Sequence, residues 1–261
     1  MENETALTGG GRNVVARRGG VVFRSAGPWS PTVMRLLRHL EAVGFDHAPR
    51  VVGTGFDEAG RETVSFIEGE FVHPGPWPDE ALFLIGTMLR RLHEATASFK
   101  VPEDASWRPW FGRALGGGSR VLGHCDIGPW NIVARAGCPV ALIDWEEAGP
   151  VSRDVELAQA CWLNAQLHDD DIASRVGLAS PDARARQMRL LLDGYGLGRA
   201  DRAGFTDGMI AFAVHDAADQ ARQAGVTMET KDPAALWGVT WRTRAASWML
   251  HHQAALDHAL R

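Results

Sequence analysis

The sequence predicts an α+β protein in two unequal parts: a small antiparallel β-sheet followed by a larger, mainly helical region. Three observations carry that reading. Short β-branched runs separated by glycine turns occupy positions 1–68. From Asp154 onward, apolar residues recur at helical spacing. Between these regions a short apolar hairpin, Ile132–Leu142, follows the turn-forming pair Gly128-Pro129.

Taken in order, Thr8 to Asn13 reads as a glycine turn centred on Gly9-Gly10-Gly11, and Val14 to Arg17 as a strand. Gly19-Gly20 makes the next turn, before a strand over Val21-Val22-Phe23-Arg24. Ser30 is placed to cap a helix with Pro31 in its first turn. Leu36, Leu37, Leu40 and Val43 give that helix an apolar face, and Gly44 closes it. Val51–Thr54 and Thr63–Ile67 make two further strands around the turn Asp57-Glu58-Ala59-Gly60. Glu68-Gly69-Glu70, with Pro74-Gly75-Pro76 close behind, is the expected hinge. A long helix then runs from about Asp79 to Ala97, with Leu82, Ile85, Leu89 and Leu92 on one face. A loop rich in Trp, Arg and Gly (106–120) leads to the central hairpin. Helices are expected over about 154–168, 181–195, 203–224 and 233–260.

Composition narrows the function classes. Hydrophobic residues make up 45% and charged residues 23%, an ordinary globular balance. A net charge of −5 gives no basic stripe able to displace counterions, so nucleic acid is not an expected partner. No run reaches 18 apolar residues and no apolar leader precedes the first glycines, so a cytoplasmic protein with no membrane partner is expected. Cys125, Cys138 and Cys161 form neither a disulfide framework nor a zinc pattern. His215 and the pair His251-His252 have no metal-site spacing and read as helical surface.

The chemistry concentrates in Gly123-His124-Cys125-Asp126-Ile127-Gly128-Pro129-Trp130-Asn131, followed by Ala141-Leu142-Ile143-Asp144-Trp145-Glu146. This is the order H-x-D-x-x-x-x-N, a hairpin, then an apolar strand ending in Asp. Phosphoryl transfer needs a carboxylate at the acceptor hydroxyl and oxygen ligands for a metal, all held close together. Asp126 fits the base. Asn131 and Asp144 supply a neutral and an anionic oxygen, which suit a hard octahedral magnesium ion.

These motifs resemble the aminoglycoside phosphotransferase family, small-molecule kinases that share the protein-kinase fold. The resemblance runs over about residues 6–160 and is tightest from His124 to Ala158, where Asp154-Val155-Glu156-Leu157-Ala158 is similar to the family's D-L-A element with Glu in place of Asp. It implies a protein-kinase-like two-lobe fold with an N-lobe over 1–68 and a C-lobe over 69–261. The catalytic loop would span 123–146 and a helical substrate-binding part 154–261. It also implies ATP or GTP as donor, magnesium as cofactor, and a small-molecule hydroxyl as acceptor, cationic if it is an aminoglycoside. A monomer or homodimer is expected.

Under that resemblance Asp126 is the catalytic base, and Asn131 and Asp144 hold the metal. His124 braces the loop and Trp145 packs behind the metal-binding Asp. Gly9, Gly10 and Gly11 lay backbone N–H groups over the phosphates, and the backbone near Phe66, Ile67 and Glu68 reads the base. Glu146, Asp154 and Glu156 face the acceptor, with the run Asp169-Asp170-Asp171, Asp216 and Asp219 as further acidic candidates.

One position departs from the pattern. The lysines are Lys100 and Lys231, so the phosphate-binding lysine of the third strand is replaced by Arg24. The following helix offers Thr32, Val33 and Met34 early and Glu41 only near its end, so the usual ion pair with that helix is expected to be unmade. This sets a contrasting expectation: a kinase-fold protein that binds nucleotide or ligand, or confers immunity, with little or no turnover.

Overall fold

The computed structural model describes residues 4–7 and 15–261. Among them, a five-stranded antiparallel sheet is built from β1 (Thr5–Leu7), β2 (Val15–Arg18), β3 (Val21–Arg24), β4 (Val51–Phe56) and β5 (Glu62–Ser65), in the order β1-β2-β3-β5-β4. The helix α1 (Ser30–Ala42) inserts between β3 and β4 and buries Val33, Met34, Leu36, Leu37 and Leu40. Its stripe recurs at three- and four-residue spacing, as one buried helix face requires.

Ser30 does not cap this helix. It lies inside the first turn, Trp29 holds the N-cap position, and the Ser30 hydroxyl turns away from the helix. That hydroxyl accepts from the Gly27 N–H at 2.9 Å and donates to the buried carboxylate of Glu62. A charged acceptor outcompetes a backbone amide for a short hydroxyl.

Beyond the sheet, α2 (Asp79–Thr96) buries Leu82, Ile85, Leu89 and Leu92. Its main neighbour is α5 (Pro181–Tyr195). Glycines set that contact. A Cβ on Gly86 would lie 2.0 Å from the Leu191 carbonyl oxygen, and one on Gly194 would lie 2.0 Å from that of Phe83. Backbones this close leave no room for a side chain.

The remaining elements in chain order are β6 (Arg120–Gly123), β7 (Ile132–Arg135), β8 (Cys138–Leu142), β9 (Gly149–Ser152) and α3 (Arg153–Asn164). They are followed by α4 (Asp170–Val176), then, after α5, by α6 (Phe205–Gln223), α7 (Pro233–His251) and α8 (Gln253–Leu260). β6 pairs with β9 and β7 with β8, both antiparallel. The connection after β5 is fastened to this hairpin, since Glu70 and Ala134 exchange backbone hydrogen bonds at 2.9 and 2.8 Å.

Two expectations for the helical region, the acceptor-facing acidic run and a single last helix, are corrected. The acidic run at 169–171 starts α4, with the Asp169 side chain capping the Ile172 N–H at 3.0 Å. The expected helix over 233–260 is two helices, because the chain leaves helical geometry at His252, whose φ is −99°. Among the described residues no helix is long and apolar enough to cross a membrane.

Candidate active site

The loop after β6 is shaped by α3. Glu156 Oε1 accepts the Cys125 N–H at 2.8 Å, and Gln159 Oε1 accepts the Ile127 N–H at 3.0 Å. Asn164 Nδ2 donates to the Ile127 carbonyl at 2.8 Å. Side chains of one buried helix thus satisfy loop backbone groups that would otherwise be costly to bury. Cys125 sits at φ 65°, uncommon for a residue other than glycine, and its side chain is fully buried.

Gly128-Pro129 then starts a short 3-10 turn over Pro129–Asn131 that folds Asn131 back toward Asp126. Asn131 Nδ2 donates to Asp126 Oδ2 at 2.8 Å and to the Asp126 carbonyl at 3.1 Å. With its amide nitrogen so engaged, Asn131 has its amide oxygen as the remaining donor atom for a cation.

His124 ties this loop to the strand carrying Asp144. Its Nε2–H donates to the Ile143 carbonyl at 2.9 Å, and its Nδ1 accepts the Asp126 N–H at 3.3 Å. Burial lowers its pKa and keeps the ring neutral, as that pair of roles requires. The Ile143 N–H also donates to the Asn131 carbonyl at 2.9 Å. Trp145 packs edge-on against His124 with centroids 4.7 Å apart, and its Nε1–H donates to Leu142 O at 2.9 Å. Asp144 itself has φ 64°, a second left-handed residue other than glycine at this site.

Asp126, Asn131 and Asp144 therefore open on one cavity of about 310 Å³. Arg24 enters it from β3. Its Nη2 bonds Asp144 and lies 3.7 Å from Glu146, and its Nε lies 4.0 Å from Glu62. Arg108 bonds Glu146 and reaches Glu147 at 3.3 Å. Carboxylates outnumber these two guanidinium groups, and Asp126 registers the imbalance. Burial first, then the charges of Asp144 and Glu147, push its pKa up to about 7, against the hydrogen bond from Asn131.

As expected, Arg24 makes no ion pair with α1 among the described residues. Its acidic neighbour within the sheet comes from β5, where Glu62 stands directly across the ladder from Arg24. Two proposed acceptor contacts are corrected. Glu156 is fully buried and bonds His93 Nε2 as well as the Cys125 N–H, so it supports the loop from behind. Burial opposes its charge, but His93 and the Cys125 N–H overcome this and hold its pKa low. Asp154 is exposed, bonds Arg153 Nε at 2.8 Å and stands outside the cavity lining.

Glu146 does line the cavity, as do Asp216 and Asp219 of α6. The expected base-reading segment does not. The Phe66 N–H already donates to Gly20 O at 2.8 Å, the Glu68 carbonyl accepts from Arg135 at 3.0 Å, and Ile67 stands between them. Arg17 lies over the Phe66 ring at 3.5 Å and pairs with Glu68 at 3.1 Å. The turn Gly9-Gly10-Gly11 lies outside the described residues.

Sequence reasoning missed Glu62 beside Arg24 and the aromatic lining formed by Trp110, Phe111, Trp130 and Trp241. The density of Trp in the 106–120 loop was the available signal for part of that lining. The Arg24–Glu62 pair required knowing which strands are neighbours.

A small antiparallel sheet, a larger helical lobe and an Asp/Asn/Asp cleft define a protein-kinase-like two-lobe fold. The model of the phosphotransferase enzyme family matches residues 103–196, the segment holding the loop and both hairpin strands. The chain is 69% identical over 260 residues to the trifolitoxin immunity protein of Rhizobium leguminosarum bv. trifolii, with 100% of each chain covered. Among solved structures, an amicoumacin kinase in complex with AMP-PNP, Ca2+ and Ami superposes with a TM-score of 0.68 at 12% identity, covering 94% of this chain and 88% of that one. A GDP complex of an aminoglycoside 2'-phosphotransferase superposes at 0.56 with 13% identity, covering 99% and 92%. The chain belongs to the phosphotransferase enzyme family.

Proposed function

We propose that the protein is a metal-dependent O-phosphotransferase that moves the terminal phosphoryl group of ATP or GTP to a hydroxyl of a small molecule. The observation that carries this reading is the convergence of Asp126, Asn131 and Asp144 on one cavity that aromatic and acidic side chains also line. Asp126 accepts or orients the acceptor hydroxyl, and a carboxylate pushed up to about pH 7 is well matched to take its proton near neutrality. Arg24 is placed to grip phosphate oxygens through its Nη2 end.

The Asn131 amide oxygen and the Asp144 carboxylate would hold a divalent cation. They are hard oxygen donors on one side of a cavity with excess negative charge, and the Asp144 side chain is 39% exposed and so within reach. Among the described residues no three His, Cys, Asp or Glu side chains form a metal cluster, so this set depends on the amide and on phosphate oxygens of the nucleotide. Magnesium, when bound, would neutralise the phosphates and the charge that develops between them. The wall of Trp110, Trp130, Trp241, Asp216 and Asp219 suits an acceptor that carries a positive charge on an apolar frame.

Asp144→Ala is expected to weaken magnesium-nucleotide binding at least tenfold in a calorimetric titration, since it removes a direct ligand. Arg24→Ala should weaken it by a similar factor, because a charge-assisted bond is worth about 1.5–3 kcal/mol. Arg24→Lys should recover part of that loss, as lysine supplies the charge without the fork. Unchanged affinity in Arg24→Ala would make Arg24 a structural charge at the end of its strand.

A second reading is favoured by the relative named as an immunity protein and by the arginine in place of lysine. On it, the protein protects by holding a toxin or nucleotide with little turnover. Nucleotide consumption by the purified protein, measured against a panel of toxins, aminoglycosides and amino alcohols, separates the two. Acceptor-dependent turnover supports the transferase. Tight binding of acceptor with no turnover across the panel supports the binder.

A further inference from the structure

Arg24 is fixed from an unexpected side. Its residue partner across the β3–β5 ladder is Glu62, and the two side chains emerge on the same face of the sheet because opposed residues share a face. Glu62 is 3% exposed, and Ser30, which donates to it, is fully buried. The Gly27 N–H bonds the same hydroxyl, so the carboxylate is held at the end of a relay starting in the backbone before α1. The early turns of α1 present Thr32, Val33 and Met34, and the Thr32 hydroxyl is committed to the Ser106 N–H at 3.0 Å.

We propose that Glu62 is a positioning residue for the phosphoryl donor: it orients Arg24 so that the Nη2 end points into the cavity at the level of Asp144. The inference rests on the phosphotransferase reading and names a residue beyond it. Glu62 lies 4.0 Å from the Nε side of the guanidinium and Asp144 bonds its Nη2, so carboxylates flank the fork at its root and at its tip. Planar guanidinium geometry makes such a two-sided hold directional. Because Arg24 and Glu62 stand on neighbouring strands of one sheet, the ladder sets their spacing, and the Ser30 hydroxyl at the start of α1 holds the carboxylate in place.

The test is a double-mutant cycle read as the affinity for AMP-PNP with magnesium, measured by calorimetry on wild type, Arg24→Ala, Glu62→Gln and the double variant. Glu62→Gln keeps the shape and the Ser30 bond and removes the charge. It is expected to weaken binding about tenfold, equivalent to about 1.4 kcal/mol, and the double variant should bind no more weakly than Arg24→Ala alone. Glu62→Asp, which keeps the charge on a shorter arm, should fall between wild type and Glu62→Gln, and it carries the test should the glutamine variant not fold. Wild-type affinity in Glu62→Gln or Glu62→Asp, or losses that simply add in the double variant, would overturn the proposal while leaving the transferase reading intact. A wild-type protein that binds no nucleotide would overturn that reading itself, and with it the role given to Glu62.

Discussion

Asp126→Asn is expected to lower phosphoryl transfer by about 10²–10⁴-fold, the usual worth of a positioned acid or base, and to make the protein more stable. Both effects come from the same carboxylate. In the unfolded chain it ionises at about pH 4, whereas in the folded protein burial and the charges of Asp144 and Glu147 push it up to about 7. The folded state keeps this proton longer, so the group costs the folded state more as pH rises between those limits, and the cost levels off above them. A tenfold change in proton affinity corresponds to about 1.4 kcal/mol, so the full cost is on the order of 4 kcal/mol. Asparagine carries no such cost and can still accept from Asn131. The variant should match wild type in thermal unfolding near pH 4, gain steadily up to about pH 7 and level off beyond it. A gain independent of pH would mean that packing, and not the charge, is responsible.

The largest loss of stability is expected from Glu156→Ala. The buried carboxylate accepts from Cys125 N–H and His93, and His93 Nδ1 is in turn 2.8 Å from the Tyr195 hydroxyl. Removing the carboxylate leaves the buried His93 Nε2 on α2 and the Cys125 N–H of the loop without a partner, which typically costs about 3–5 kcal/mol. For a protein of this size that is a fall in Tm on the order of 10 °C. Activity should fall with the folded fraction. Had Glu156 faced the acceptor, its loss would raise KM and leave Tm alone, so thermal unfolding and kinetics on one preparation decide between the two.

The fold was readable where local chemistry is repetitive. The strand runs, Pro31 opening α1 and the apolar stripe of α2 are each dictated within a few residues. The Asp126, Asn131 and Asp144 arrangement was equally legible, because the Gly128-Pro129 turn and the hairpin leave the chain few ways to run. What escaped were properties of neighbours distant in sequence. Glu156 reads as an exposed acid until α3 is known to lie beneath the loop. Glu62 acquires meaning only when β5 is seen beside β3. The break at His252 carries no proline or glycine to announce it, and the acidic run at 169–171, offered as acceptor contacts, instead caps and opens α4.

The hold of α3 on the loop also bears on motion. Loop amides normally exchange with solvent quickly, because small openings expose them. Here the Cys125 and Ile127 amides are spent on buried side chains of a helix that lies wholly inside the C-lobe. They can meet deuterium only when α3 itself lets go. The segment that would carry out the chemistry should then exchange on the slow timescale of the helical core, hours and not milliseconds, and stay rigid while substrates come and go around it.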